Sequence, residues 1–257
     1  AVALTALALL AAAGCESNSS RQTLTSSSGS LTSTSGIVID GLVDDWPQDV
    51  AVGSDEHYLY LRTKIEQSDA ALQAADESLV IWLDVDGDAS TGLAPTGARD
   101  LASMGVDLAI EFSPRSPDGP RGGVRVSTYT AGGTANEISP YDLGMHFAPT
   151  FASEWTEMRI ERRGEVLASL TAAGTAAGAY ALFDNAGDLI GWSDPFQIEM
   201  EAGSPPPPVM ADIPDQPEGT VRVMAWNALR DAPTENPAPF ARVFQAIDPD
   251  IILIQEW

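Results

Sequence analysis

Between residues 37 and 200 the chain is written as short strand-like runs separated by turn residues, and that pattern limits its fold more than anything else in it. Leu79-Val80-Ile81-Trp82-Leu83 is a continuous apolar run fit for a buried strand. His57 to Arg62 is rich in aromatic and apolar residues, as strands are. Val106 to Phe112 and Val124 to Tyr129 alternate, and Trp155 to Ile160, Ala179 to Phe183 and Phe196 to Met200 extend the set. Ile37-Val38-Ile39 is a further strand-like run, leading into the turn signal Asp40-Gly41. Only Asp69 to Asp76 reads as a short helix. Many short strands with Gly, Pro and Asp turns make the chain mainly β and predict an antiparallel β-sandwich.

Charge narrows the choice of partners. Asp and Glu number 37 against 13 Lys and Arg, a net charge of −24. Such a surface repels phosphate backbones and anionic membranes, so nucleic acid is expected only at a local site charged by metal ions. With 44% apolar residues over 257 positions there is material for a real core, in one large domain or two smaller ones. The single Cys excludes an internal disulfide and a zinc site of several thiolates.

That Cys is Cys15, directly after the apolar stretch Ala1 to Ala13 and Gly14. The stretch is too short to span a bilayer as a helix and suits the apolar part of a signal peptide. The basic region that should precede it is missing, so further residues are expected before Ala1. Ala12-Ala13-Gly14-Cys15 resembles a bacterial lipobox, in which small residues precede a Cys that becomes lipid-modified. The resemblance implies export and a membrane anchor through Cys15, the other reading being an ordinary secretory signal. Residues 16–36, mostly Ser and Thr, read as a flexible tether.

Three motifs in residues 37–200 resemble the family 9 carbohydrate-binding-module-like group, close to DOMON-type sandwiches. They are Ile39-Asp40-Gly41 with Asp44-Asp45-Trp46, then Trp82 to Asp88 with Thr91-Gly92, then Gly105 to Glu111. The resemblance implies a β-sandwich of the kind appended to secreted bacterial enzymes, some of which bind sugars between aromatic rings. Trp46, Trp82, Trp155 and Trp192 are the candidates for a platform that stacks on polysaccharide. Against that, Trp82 sits in a core-like run and Trp46 is placed to close the end of the sandwich. Asp84, Asp86 and Asp88 alternate around Gly87, and hard oxygen ligands at that spacing suit a structural Ca²⁺. The competing reading is a solvated acidic turn. Asp107 is an extra ligand if its strand runs alongside. His57 and His146 are isolated, and Arg162-Arg163 is too small for a basic patch.

Residues 201–220 form a linker, with four consecutive prolines from Pro205 to Pro208 making a stiff spacer. Beyond it, Val221 to Trp226 reads as a strand ending at Asn227. Asn236 and Pro237 open a helix whose Phe240, Val243, Phe244 and Ile247 share a face, and Asp248-Pro249-Asp250 stops it. Ile251 to Ile254 is expected as a second, buried strand leading into Gln255 and Glu256. If the two strands are neighbours, the Asn227 amide oxygen and the Glu256 carboxylate converge beyond one sheet edge, as Mg²⁺ ligands do.

Met224-Ala225-Trp226-Asn227 and Pro249-Asp250-Ile251-Ile252-Leu253-Ile254-Gln255-Glu256 resemble the two opening motifs of the endonuclease/exonuclease/phosphatase superfamily. The resemblance covers residues 221–257 and implies the truncated start of an α/β-sandwich hydrolase domain. It makes Glu256 the principal Mg²⁺ (or Mn²⁺) ligand and Asn227 its polar partner at metal and phosphate, both in the catalytic site. Members cleave phosphoesters in nucleic acids, inositol phosphates, sphingomyelin or nucleotides, and extracellular nucleic acid is the substrate class favoured here. The family's later His–Asp pair and Asp-x-Asn element have no counterpart, since no His follows His146. The chain is therefore expected to be an inactive fragment of a phosphodiesterase or phosphatase. The alternatives are a cell-surface carbohydrate-binding protein and a Ca²⁺-stabilised spacer without catalysis.

Overall fold

A computed structural model describes residues 36–48, 50–65, 70–97, 101–115, 122–207, 213–227, 232–235 and 237–255. Contacts divide the chain into two compact units, the first reaching Pro206 and the second starting at Pro207. The division falls inside the proline run, where the ring removes the backbone donor that a ladder or helix would need. Among the described residues no helix is long and apolar enough to cross a membrane.

The first unit is mainly β and antiparallel. Its described strands are β1 (Val52–Ser54), β2 (Tyr58–Lys64), β3 (Ser78–Asp84), β4 (Leu108–Phe112), β5 (Val124–Tyr129), β6 (Ala135–Ile138), β7 (His146–Ala148), β8 (Trp155–Glu161), β9 (Gly174–Phe183), β10 (Leu189–Trp192) and β11 (Phe196–Met200). A smaller sheet has the order β1-β2-β8-β7, and a larger one the order β10-β9-β3-β4-β5-β6, with β11 also on β9. Strand β9 is long enough to carry β10 along Ala181–Phe183 and β11 along Gly174–Gly178 of the same edge.

One hydrophobic core draws on both sheets. Leu59, Leu61, Met158 and Ile160 from the smaller sheet join Leu79, Ile81, Ile110 and Tyr180 from the larger. Alternation along each strand sends the intervening residues to the other face. On the smaller sheet that face carries Tyr58 and Tyr60, covered by Ile37, Ile39, Val43 and Trp46. On the larger sheet it carries Val80, Trp82, Ala109, Ala179 and Ala181, capped in part by Leu101, Met104 and Val106.

Two buried charged side chains pin loops to this frame. Glu157, fully buried, accepts N–H bonds from Asp40 at 2.8 Å and Gly41 at 2.6 Å, and the Trp46 indole N–H at 2.7 Å. The 37–46 segment is held by such side-chain bonds, with the Asp45 carboxylate taking the Val38 N–H at 2.6 Å, and not by a ladder, so Ile37-Val38-Ile39 is irregular where a strand-like run was expected. Arg162, also fully buried, donates to the carbonyls of Leu170 at 2.8 Å, Asp55 at 2.7 Å and Ala172 at 3.2 Å, and to that of Glu201. Burial holds its guanidinium below the ordinary arginine range, with Asp55 pulling the other way. The helix expected over Asp69–Asp76 is a single 3-10 turn, Leu72–Ala74, among the described residues there.

The second unit is a parallel pair, β12 (Val223–Asn227) and β13 (Ile251–Gln255), linked through α1 (Ala232–Glu235) and α2 (Pro237–Ile247). Trp226 stacks on Phe240 with ring centroids 4.7 Å apart and meets Phe244 edge-on at 5.6 Å, so the apolar stripe of α2 seats on one face of the pair. Strand β13 is not buried as its apolar run suggested. Ile251, Ile252 and Leu253 are 41–53% exposed. Parallel strands are usually covered on both faces; among the described residues of this unit one helix packs on one face alone.

Candidate metal and ligand sites

The two motifs of the second unit meet at its strand ends. Pairing is in register from Val223 with Ile251 to Asn227 with Gln255, so β12 and β13 finish side by side. Asn227 and Gln255 are both exposed there. Glu256, the next residue, lies outside the described residues, as do Asn236 and Cys15, the residue expected to carry a lipid.

Asp250 fixes this register. Its carboxylate accepts the Arg222 backbone N–H at 2.9 Å and the Gln216 amide at 2.8 Å, and the Asp250 and Ile251 N–H groups both donate to the Arg222 carbonyl. These bonds, the Arg222 N–H first, hold the Asp250 carboxyl below the ordinary range. The Arg222 guanidinium donates to the carbonyls of Ile247 and Pro214. Read from sequence, Asp250 stopped the helix and stood in the second motif, with no bonding role assigned to it. A short acceptor directly before the second strand of a strand–helix–strand unit is the signal that gives its further role.

In the first unit, carboxylate oxygens of Asp84, Asp86 and Asp107 lie within 4.8 Å of one another. Strand β3 delivers Asp84 at its end. Asp107 sits just before β4, its N–H bonded to the Leu83 carbonyl at 2.9 Å. Both are nearly fully buried, at 4% and 6% exposure. Asp107 Oδ2 accepts from the Val85 and Asp86 N–H groups, and Asp84 Oδ1 from Gly87. Burial raises both carboxyls, Asp107 to about 6. Those backbone bonds pull them back, and the neighbouring carboxylates push them further up. Three convergent carboxylates are a hard oxygen set of the kind Ca²⁺ takes.

Asp88 stands outside this group. Its Oδ1 accepts the Ser90 N–H at 2.9 Å and hydroxyl at 2.6 Å, a turn-stabilising role. The loop it belongs to lies tight on its neighbour: a Cβ on Gly92 would overlap the Val106 carbonyl, and one on Gly105 would lie 2.5 Å from the Asp88 and Thr91 carbonyl oxygens.

The four tryptophans do not share a platform. Trp46 and Trp155 flank the Arg62 guanidinium, at 5.3 and 5.4 Å from its carbon. Trp82 and Trp192 belong to the apolar cluster on the far face of the larger sheet, where Phe183 meets Trp82 edge-on at 6.0 Å. His57 Nδ1 lies 3.0 Å from the Ser204 carbonyl oxygen, and His146 pairs by backbone with Arg159. Compared with protein-family models and with curated proteins, the chain matches none.

Proposed function

We propose that the intact protein is an exported, lipid-anchored, Mg²⁺-dependent phosphodiesterase or phosphatase of the endonuclease/exonuclease/phosphatase type. In this reading the first unit is an accessory β-sandwich and the second is the opening of the hydrolase domain. The observation that carries it is the in-register parallel pairing of Asn227 with Gln255. That pairing brings together the ends of the two motifs on which the sequence resemblance rests, at the strand ends where open α/β sheets take ligands.

The donor set fits the metal. An exposed Asn amide oxygen at the end of β12 and the carboxylate of Glu256 are hard ligands suited to Mg²⁺ or Mn²⁺. The ion, when bound, neutralises charge on the phosphoryl oxygens and the leaving group. Asn227 orients phosphate beside it, and Glu256 holds it. Water activation needs a His–Asp pair that this sequence does not supply after His146. The proposal therefore concerns hydrolysis by the intact protein. Extracellular nucleic acid remains the favoured substrate, approaching a surface of charge −24 only where the metal offsets it.

The test is hydrolysis of a phosphodiester by the intact protein with Mg²⁺. Glu256→Ala should lower the rate by about a hundredfold or more. A variant that keeps the parent rate overturns the assignment.

A second reading draws on the Asp84, Asp86 and Asp107 group: a cell-surface module that binds polysaccharide, or a Ca²⁺-stabilised spacer, without catalysis. Glycan binding by a protein with no phosphoesterase activity would favour it.

A further inference from the structure

The far face of the larger sheet carries a trough of about 650 Å³. It comes from the residue sizes along two cross-strand rows. In one row Trp82, Ala109, Ser127 and Glu137 stand side by side on β3, β4, β5 and β6. Small side chains at Ala109 and Ser127 leave a hollow between the bulkier ends. In the next row Val80, Glu111 and Arg125 continue that hollow toward the end of the sheet where Phe183 stands. The volume lies within the range of about 300–1,000 Å³ found for small-molecule sites.

The register gives the trough two unlike ends. Trp82 and Tyr129 line one end, and Arg115 and Arg125 line the other. Both guanidiniums are held in place. Arg125 donates through Nε and Nη2 to a single oxygen of Glu111, its direct cross-strand partner. Arg115 donates through Nη1 to the Ala186 carbonyl, and a Cβ on Gly187 would overlap its guanidinium. Two cations on one concavity are notable in a chain with 13 basic and 37 acidic residues. Glu111 is engaged by Arg125, and Glu137 is exposed. Burial pushes the Tyr129 hydroxyl above its ordinary range, with Arg125 lowering and Glu111 raising it, so it stays a neutral donor.

We propose that this trough binds a ring compound bearing a carboxylate. The ring lies against Trp82 and Tyr129, and the carboxylate is held by Arg115 and Arg125. The guanidinium fork matches a carboxylate and is weakly hydrated, so it recognises this group where an ammonium would not. A sugar ring of the uronic acid type and an arene carboxylate share this chemistry. The site lies wholly in the first unit and is independent of the hydrolase reading.

The test is a titration of the full chain, followed by tryptophan fluorescence and calorimetry, with glucuronate, benzoate and glucose. Saturable binding of either carboxylate is expected, weakened at least tenfold for glucose. The tighter of the two acids identifies the source, an acidic glycan or an aromatic acid. Arg125→Gln should weaken binding at least tenfold. Ser127→Trp, which fills the hollow without deleting a recognition group, should abolish it. An unchanged thermal midpoint in each variant shows that the fold is intact. Glucose bound as tightly as glucuronate, no binding of either acid up to about 20 mM, or unchanged affinity in a folded Arg125→Gln protein would each overturn the proposal.

Discussion

Glu157 and Trp46, 111 positions apart, are joined by a 2.7 Å bond from the indole N–H to a carboxylate oxygen, and that bond closes the N-terminal segment over the smaller sheet. The other oxygen takes the Asp40 and Gly41 N–H groups, so one buried side chain satisfies three donors. Glu157→Gln can keep the two backbone bonds but turns an amide N–H₂ toward the indole donor. The expected cost is about 1–3 kcal/mol, read from urea unfolding. Trp46→Phe removes the same bond from the other side. A double-mutant cycle should therefore be non-additive by at least about 0.5 kcal/mol; simple additivity would mean the bond contributes nothing.

Arg162 works by a different balance. Its guanidinium meets four backbone carbonyls, so the fork geometry matters more than the charge. Arg162→Lys keeps the charge but cannot reach all four, and Arg162→Met leaves the carbonyls without their donor. Both should destabilise the first unit by at least about 3 kcal/mol. Rescue of the midpoint by Lys would show that charge alone is what the site needs.

These two staples mark where sequence reading stops. Strands β2, β3, β5, β8 and β11 were legible because each presents a run or an alternation long enough to carry a period. Strands β1 and β7 are three residues long, and β6 and β10 are four, too short for a pattern to stand out. Glu157 and Arg162 sit inside or just after a strand and look like ordinary surface charges until their long-range partners are in place. Among the site residues, the spacing of Asp84 and Asp86 was readable. That Asp107 completes the group depended on β3 and β4 pairing, and Asp88 turning to Ser90 is a local backbone choice. Trp82 as a core residue and Trp46 as a closing one were legible from their neighbours in sequence, whereas composition counts rings and does not say on which face of which sheet Trp155 and Trp192 stand.

In the second unit, Trp226 is the one β12 side chain whose ring meets two rings of α2. Trp226→Ala should remove that contact at a cost of about 1–3 kcal/mol, the ring being half-buried, more than a helix of this length can supply by itself. The expected outcome is loss of the α2 helical signal in circular dichroism, with the unfolding of the first unit unchanged. Retention of the helix would mean that Phe240 and Phe244 are held by something other than Trp226.

The pH dependence of the first unit follows from Asp107. Its carboxyl stands at about 6 when folded and near 3.8 when unfolded. Between those values the folded state binds a proton that the unfolded state lacks, so stability falls as pH rises from about 4 to 6 and is level above that for this group. The span corresponds to roughly 2–3 kcal/mol. Asp107→Asn keeps an oxygen for the Val85 and Asp86 N–H groups. It should flatten the profile and raise the midpoint at pH 7.5 in the absence of divalent ions. A variant profile parallel to that of the parent would place the titration elsewhere.

Divalent cations should act on the same balance from the other side. At neutral pH the three carboxylates of Asp84, Asp86 and Asp107 repel one another in a poorly solvated site, and a bound cation turns that repulsion into attraction. Binding to the folded form alone raises stability by about 2.7 kcal/mol when the ion is present at a hundred times its dissociation constant. Millimolar Ca²⁺ is therefore expected to raise the melting temperature of the first unit at pH 7.5, and EGTA to return it. The shift should shrink toward pH 5, where protons compete for Asp107, and vanish in Asp107→Asn. A melting temperature indifferent to both Ca²⁺ and chelator would make the group an acidic turn held by its own backbone bonds. A shift that survives Asp107→Asn would place the ion elsewhere in this acidic chain.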